Sequence, residues 1–544
     1  MELPKTISFV SYAVNGAGVG HVQRLCAINR WLRRYAVYLG IRSQHWFITT
    51  SEADTWLFAE DIAAFKLPSK TIVEQAGIDK PEYLAMAKQW VWTAMATLRP
   101  DLFIVDTFPN GSFDELAPAL DLCRRKALVL RPVRPEILER PGFKALTGLY
   151  DRVVVPADLD SPPFSLPVDP VRVGPILLDE RFEAHDRAEA RRRLGVDGDA
   201  FCWLVAVGGG GDPLVPAVFD AVEAMVSRDP SLHVVFAAGP LCRLPPRRGP
   251  RRTWWTESGL GQVLAGVDGA VSAAGFNSVH ELLHAGVPTI FLPQRKVADD
   301  QEARARAVES RGAGVCQTSV AELAPAMVRL RDATFARLLS DAARKTVPRN
   351  AARDAAASLL ELCIPKALVR QAVDALDDEV LGQARGLRMG LAELVDLAAA
   401  LAPGQRARDG RELQLENALA VARAATAAGL GTTALVRLAG LYGRKLCPAE
   451  GSPNRAGLAL LRLVGHPSVA GQWSALSALL NVWPATRDSD PDRSTAAMIE
   501  LVDIAAARGL GVSRLAQVVV QVQSEDEAGS QFPLRVRARL EGLS

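Results

Sequence analysis

The chain has 544 residues, of which 49% are hydrophobic and 23% charged, with a formal net charge of +2. That length holds about three domains with self-supporting cores. The near-neutral charge gives no reason to expect a polyanionic partner, so nucleic acid is not indicated. Seven cysteines, odd in number and without a C-x-x-C pair, argue for reduced thiols and against a disulfide framework or zinc site.

The N-terminal run MELPKTISFVSYAV lacks the basic region and cleavage site of a signal peptide. No run of about 18 apolar residues follows anywhere, so the expected location is the cytoplasm. From residue 1 to about 165, short apolar runs (TISFVSY, QHWFITT, DLFIVDT, KALVLRPV, DRVVVPA) alternate with helical stretches. This is the grammar of a parallel α/β sheet. The first strand runs into SYAVNGAGVGHVQRL, where Gly16, Gly18 and Gly20 let the backbone turn tightly and approach a ligand. The spacing is G-x-G-x-G, and no acidic residue follows at the distance a dinucleotide fingerprint needs.

His21 opens the next helix, just past the end of strand one, where open α/β sheets bind ligands. An imidazole there can serve as a general base or simply cap the turn. Asp106 ends the strand of DLFIVDTFPNG and either orients His21 or starts the following turn. The helix HVQRLCAINRWLRRYAVYLG sets Arg24, Arg30, Arg33 and Arg34 beside Trp31, Tyr35 and Tyr38, which makes it a candidate for peripheral membrane contact.

The proline-rich segment 160–175 reads as a linker. The α/β grammar then restarts with FCWLVAVGGGGDP, HVVFAAGP, RRTWWTE, GAVSAAG and PTIFLPQ, and ends near residue 363. Asp212-Pro213 reads as a helix start, with Asp as N-cap and Pro at the first position. The glycines before it, Gly208, Gly209, Gly210 and Gly211, exceed what a cap requires and suit a phosphate cradle. The basic run 243–252 is either a grip for an anion or a solvated loop.

The stretch VSAAGFNSVHELLHAGVPTIFLPQ, 271–294, carries the most information. Ser278 and Glu281 have the S-x-x-E form of a capping box. The other reading is that the turn 274–278 offers helix-terminal N–H groups to a pyrophosphate, with Glu281 accepting from sugar hydroxyls. Gly286 and Pro288 end the helix. From about 366 the chain is rich in Ala, Leu and Arg, with AQVVVQVQ ambiguous between strand and helix. Gly386, Gly429, Gly465 and Gly509 stand 43, 36 and 44 residues apart. They fit either a stack of α-hairpins or an irregular helical domain.

The pattern S-x-x-G-x-x-x-x-x-E-x-x-x-x-G-x-P (Ser272, Gly275, Glu281, Gly286, Pro288), followed by Asp300-Gln301, resembles the GT-B glycosyltransferases. Within them it is similar to the MurG-like branch, with its family 28 type of C-terminal domain. GAGVGHVQRL resembles the glycine loops of the same group, and the resemblance spans roughly residues 5–363. It implies two Rossmann-like domains facing a cleft, an acceptor domain 1–165 and a donor domain 166–365. An all-α domain, 366–544, lies outside the family core and is a candidate for partner binding.

The implied reaction is inverting transfer of a sugar from a nucleotide diphosphate, expected to be UDP, to an acceptor hydroxyl. No resident cofactor or metal is expected, because such enzymes use helix dipoles and backbone donors instead. Glu281 would bind the ribose; the backbone of Gly275, Phe276, Asn277 and Ser278, with Gly208–Gly210, would hold the diphosphate. Asp300 and Gln301 would contact the sugar. Trp254 and Trp255 fall where the base edge is held, or are strand core. His21 would face the acceptor hydroxyl.

Arg304 stands where the family often has Asn. Asp158-Leu159-Asp160 imitates the metal-holding D-x-D of the other glycosyltransferase fold but lies far from the glycine loops. Two alternatives remain on the same residues: a sugar-nucleotide hydrolase or 2-epimerase, and an inactive nucleotide-binding interaction protein.

Overall fold

The computed structural model describes residues 3–14, 19–52, 55–111, 114–159, 164–239, 242–296, 299–401, 413–446, 455–469, 472–474, 479, 491–525 and 532–543. It divides into two compact units, Met1–Ala36 with Ile41–Val373, and Val37–Gly40 with Asp374–Ser544. The first unit holds two wholly parallel sheets. The strands of the first are β1 (Thr6–Ala13), β2 (Arg42–Thr49), β3 (Ala63–Lys66), β4 (Leu102–Asp106), β5 (Lys126–Val129), β6 (Arg152–Pro156) and β7 (Val171–Val173). They lie in the order β3-β2-β1-β4-β5-β6-β7.

All five residues of β4, LFIVD, are buried, as a central strand covered on both faces requires. Helix α1 (Gly20–Tyr38) follows β1 and buries Val22, Leu25, Ile28, Trp31, Leu32 and Tyr35. That spacing of three and four lays one stripe onto the core. The aromatics proposed to meet a lipid surface are therefore core residues. Arg30 and Arg34 of the same helix pair with Glu60 and Glu183, so α1 offers no lipid-facing aromatic band.

The second sheet comprises β8 (Phe201–Ala206), β9 (Leu232–Ala237), β10 (Arg252–Trp255), β11 (Gly269–Ser272), β12 (Thr289–Phe291) and β13 (Val315–Cys316). Their order is β10-β9-β8-β11-β12-β13, and apolar clusters cover both faces. After β8 comes α2 (Val215–Arg228), after β11 comes α3 (Phe276–Ala285), and Gln301–Ser310 forms α4.

Several local expectations change. The linker 160–175 contains β7, a short edge strand, a place in a sheet where nearby proline is tolerated. Strands β3 and β13, four and two residues long, were too short to show a period. Helix α2 begins after Leu214, and Asp212 instead accepts from Leu214 N at 3.1 Å in a preceding turn. No capping box forms at Ser278, because the N-cap is Gly275 and Glu281 lies a turn further in. The second α/β segment does not stay with its own sheet: helix α5 (Ala352–Leu360) lies against β6 and β7. There Arg152 donates to Ser358 O at 2.6 Å.

The second unit is helical throughout its described residues. Its helices include Leu391–Leu401, Leu415–Ala427, Thr432–Leu446, Arg455–Gly465, Pro491–Ala507, Val512–Glu525 and Phe532–Glu541. Several pack on the next helix and on the next but one. Gly429 and Gly509 turn the chain at φ 77° and 67°. Gly465 sits where a Cβ would lie 2.1 Å from Ala428 O, so it permits close helix approach. AQVVVQVQ is helical: Val512, Leu515, Ala516, Val519 and Val522 are buried, and that period of three and four overrides valine's strand preference. No single helix among the described residues is long and apolar enough to cross a membrane.

Candidate active site

Each sheet reverses its strand order once, at β1/β4 and at β8/β11. Open α/β sheets leave a crevice beyond the strand ends at that point. The two crevices share one cavity of about 410 Å³, lined by His21, Arg24 and Arg131 from the first lobe and by Gly208, Gly209, Trp255, Gly275–Ser278, Glu281 and Gln301 from the second. Register explains the first grouping. Tyr12 of β1 pairs with Val105 of β4, so the end of β1 and the carboxylate ending β4 lie side by side.

His21 Nδ1 is hydrogen-bonded to Asp106 Oδ2. Asp106 is fully buried and also accepts from Arg24, Nε to Oδ1 at 3.0 Å and Nη2 to Oδ2 at 3.3 Å. Burial opposes ionisation of Asp106, yet Arg24 and His21 together hold its carboxyl below the ordinary range. Burial likewise pulls His21 below the usual imidazole value, although Asp106 acts the other way. A neutral imidazole donating from Nδ1 leaves Nε2 as an acceptor. Thr107, next to Asp106, has φ 62°, an uncommon conformation for a β-branched residue and of the kind that clusters at functional sites.

The second lobe contributes backbone. Gly275 is the N-cap of α3, and no side chain caps the helix. The first-turn N–H groups of Phe276, Asn277 and Ser278 thus carry the positive end of the helix dipole into the cavity wall. Gln301 is held by Gln294 N, which donates to its Oε1 at 3.0 Å, while Gln294 Nε2 donates to Val207 O at 3.1 Å. Glu281 lines the same cavity, and no hydrogen bond or ion pair reaches it among the described residues. Burial and the nearby Asp179 push its carboxyl up to about 8. Lys296 also lines the cavity and pairs with Asp212 at 2.8 Å.

The other sequence candidates divide. Gly16 and Gly18 lie outside the described residues, and Gly20 lines the cavity and abuts the Asn277 side chain. Gly210, at φ 89°, is pressed against Cys242 rather than lining the cavity. Strand alternation sends Trp255 to the cavity and Trp254 to the opposite face, where it packs edge-on against Phe219. Asp300 is the N-cap of α4, accepting from Ala303 N at 3.1 Å, and its neighbour Asp299 lines the cavity instead.

Arg304, at the position where Asn was expected, is buried. It donates to Asp158 Oδ2 at 2.7 Å, Asp299 Oδ1 at 2.8 Å and Ala274 O at 2.8 Å. Asp158 is thereby committed to an arginine, and Asp160 lies outside the described residues. Within the basic run 243–252, Arg247 pairs with Asp220 and Glu223, and Arg252 with Glu223.

Arg131, Lys296 and Asp299 were not singled out from the sequence as site residues, since nothing in the local pattern marks them. Arg24 was quoted for its helix alone, although it stands three residues after His21 on the same loop-to-helix junction.

No family model and no curated protein matches the chain. Among solved structures it is similar to the glycosyltransferase of kitacinnamycin, at 18% identity and a TM-score of 0.46, over 66% of this chain and 100% of that one. It is also similar to MurG of Acinetobacter baumannii, at 17% identity and 0.42, over 66% and 100%. A third is the spinosyn forosaminyltransferase SpnP, at 12% identity and 0.47, over 66% and 99%. Two Rossmann-like parallel sheets whose strand ends share one cleft, followed by a helical region, form the GT-B arrangement with an appended α domain. The chemistry below is read from this chain's own side chains.

Proposed function

We propose that the chain is an inverting glycosyltransferase that moves a sugar from a nucleoside diphosphate, UDP being the expected one, to an acceptor hydroxyl. One observation carries the reading: a carboxylate-oriented imidazole, His21–Asp106, shares a cavity with an uncapped helix terminus. His21 Nε2 takes the acceptor's proton as its oxygen forms the new bond to the anomeric carbon. The bond from that carbon to the diphosphate oxygen breaks, and the diphosphate leaves with the electron pair. Charge then grows where the N–H groups of Phe276–Ser278 point, so stabilisation is greatest after the ground state is passed. Gly208, Gly209 and Lys296 line the same cavity and share that role.

Glu281 accepts from the ribose hydroxyls, and Gln301, held by Gln294, contacts the sugar. Trp255 is the tryptophan placed to meet the base. Asp299, paired with Arg131 across the lobes at 2.9 Å, takes the place first given to Asp300. His21→Ala and Glu281→Ala test the division of labour. The first is expected to lower turnover about 10²–10⁴-fold with UDP affinity nearly intact. The second is expected to weaken UDP binding first. Equal loss of both properties in either variant refutes the assignment. Rapid release of free sugar or of an epimer from UDP-sugar without acceptor favours the hydrolase or epimerase instead.

A further inference from the structure

Arg24 takes no part in the reaction just described, yet it is the most deeply enclosed cation of the cleft, at 1% exposure. A guanidinium is kept out of water at such cost that its donors are normally matched. Here the partners divide between lobes. Nε and Nη2 hold both oxygens of Asp106, in the first lobe, while Nη1 reaches Asn277 Oδ1 at 3.4 Å in the second. Its Cζ also stands 5.3 Å from the centre of the Phe276 ring. Asn277 in turn donates to Gly20 O at 3.2 Å and to Gln23 Oε1 at 3.4 Å. Asn277, the second residue of α3, is therefore bound both to Gly20, the residue before His21, and to the Arg24 guanidinium.

We propose that Arg24 is a positioning residue that couples the general base to the leaving-group site. One edge of its fork fixes Asp106, and through it the ring of His21. The other edge fixes Asn277 and Phe276, whose backbone N–H groups meet the departing diphosphate. The purpose of the coupling rests on the transfer reading above; its electrostatic half does not.

The groups facing His21 are Asp106, Arg24 and Arg131, and Arg131 is itself held by Asp299. Arg24 and a protonated His21 compete for the single charge of Asp106. Because the guanidinium is always charged, it wins, and the imidazole stays neutral and able to take a proton. Without that charge Asp106 serves His21 alone, and the imidazolium becomes the favoured partner. Arg24→Gln is thus expected to raise the proton affinity of His21 about tenfold, one unit of titration. Arg24→Lys keeps a charge but loses the planar fork, so His21 should titrate as in the wild type while Asn277 loses its bond to the guanidinium and keeps only those to Gly20 and Gln23.

The test uses the full chain labelled at histidine Cε1, with His21→Gln to assign the resonance, and pH titrations by NMR with no substrate present. UDP affinity is measured alongside. The expected result is an upward move of His21 in Arg24→Gln, little move in Arg24→Lys, and weakened UDP binding in both. A His21 resonance that titrates identically in folded Arg24→Gln overturns the proposal. If Arg24→Gln does not fold, Arg24→Lys decides: unchanged UDP affinity overturns the coupling, and weakened affinity with a normal His21 titration upholds it. A moved His21 in a protein that transfers no sugar upholds the positioning and refutes the transfer reading.

Discussion

At the first switch point β1 is followed by α1, which opens at Gly20, and the junction presents side chains: His21, Arg24 and, from the neighbouring β4, Asp106. At the second it leaves β11, turns at Gly275 and presents backbone, the uncapped N–H groups of α3. The two junctions share strand, glycine and helix, and their difference lies in what the helix mouth is left to do. In the first lobe an imidazole occupies the mouth and a buried carboxylate sets its tautomer. In the second the mouth stays open, and an ionisable group, Glu281, is set back by a turn with no hydrogen bond or ion pair to it among the described residues. Proton transfer needs a titratable atom at the reacting centre, whereas a leaving diphosphate needs fixed donors that do not titrate. The asymmetry is what the proposed transfer, with one proton taken up and one diphosphate released, requires.

The sharpest way to break this comparison is Asp106→Asn. The amide keeps the shape but accepts from His21 through one oxygen only and can instead donate to it, so the ring can settle in the wrong tautomer. Turnover is expected to fall about 10²-fold or more, while UDP affinity stays within about twofold, because Arg24 keeps its bond to Asn277. Steady-state rates beside calorimetric UDP titration check this. A variant that loses UDP binding in step with turnover places Asp106 in the wrong half of the cleft.

The same asymmetry governs how much was legible in the sequence. Most strands were visible as apolar runs between glycine-bearing turns, and so were the two junctions, because a parallel sheet needs buried strands and tight exits. His21 and Asp106 stood out as functional residue types at strand ends. Backbone donors leave no residue type to recognise, so the second junction was read from its glycines and from a resemblance. Between adjacent candidates, side-chain direction was not legible. Trp254 and Trp255 differ by one position, and in a strand one position reverses the face; Asp299 and Asp300 differ by one as well, and the second is taken up as a helix N-cap. Arg131 and Asp299 stand 168 residues apart in sequence, and Arg24 and Asn277 stand 253 apart. Neither pairing has a local signal, since only the meeting of the two lobes creates it.

That directional point can be sharpened with the tryptophans. Trp254 packs against Phe219 and Phe236 away from the cavity, whereas Trp255 lines it and donates from Nε1 to Glu257 O at 3.0 Å. Trp254→Ala is expected to cost about 2–4 kcal/mol of stability, measured by denaturant unfolding, with UDP affinity unchanged in the folded fraction. Trp255→Phe removes the indole N–H with a smaller loss of packing and is expected to weaken UDP binding several-fold. Reversed outcomes exchange the faces assigned to the two residues.

The smallest expected effect is also the most specific to the second lobe. The carboxyl of Glu281 is pushed up to about 8 by burial and Asp179, far above its value in an unfolded chain. A raised acid binds protons more tightly folded than unfolded, so its contribution to stability is fullest below about pH 4.5 and declines as pH rises toward 8. Replacing it by Gln should therefore flatten the fall in melting temperature across that window. Ribose hydroxyls that donate to Glu281 favour its ionised form, so UDP should expel part of a proton from the wild-type protein near pH 7. Calorimetry in two buffers of different ionisation enthalpy reads that proton, and Glu281→Gln, as the control, subtracts the titration of UDP itself. An equal proton count in the two proteins means that the nucleotide does not touch Glu281. The backbone donors of α3 would then have to hold the ligand without Glu281.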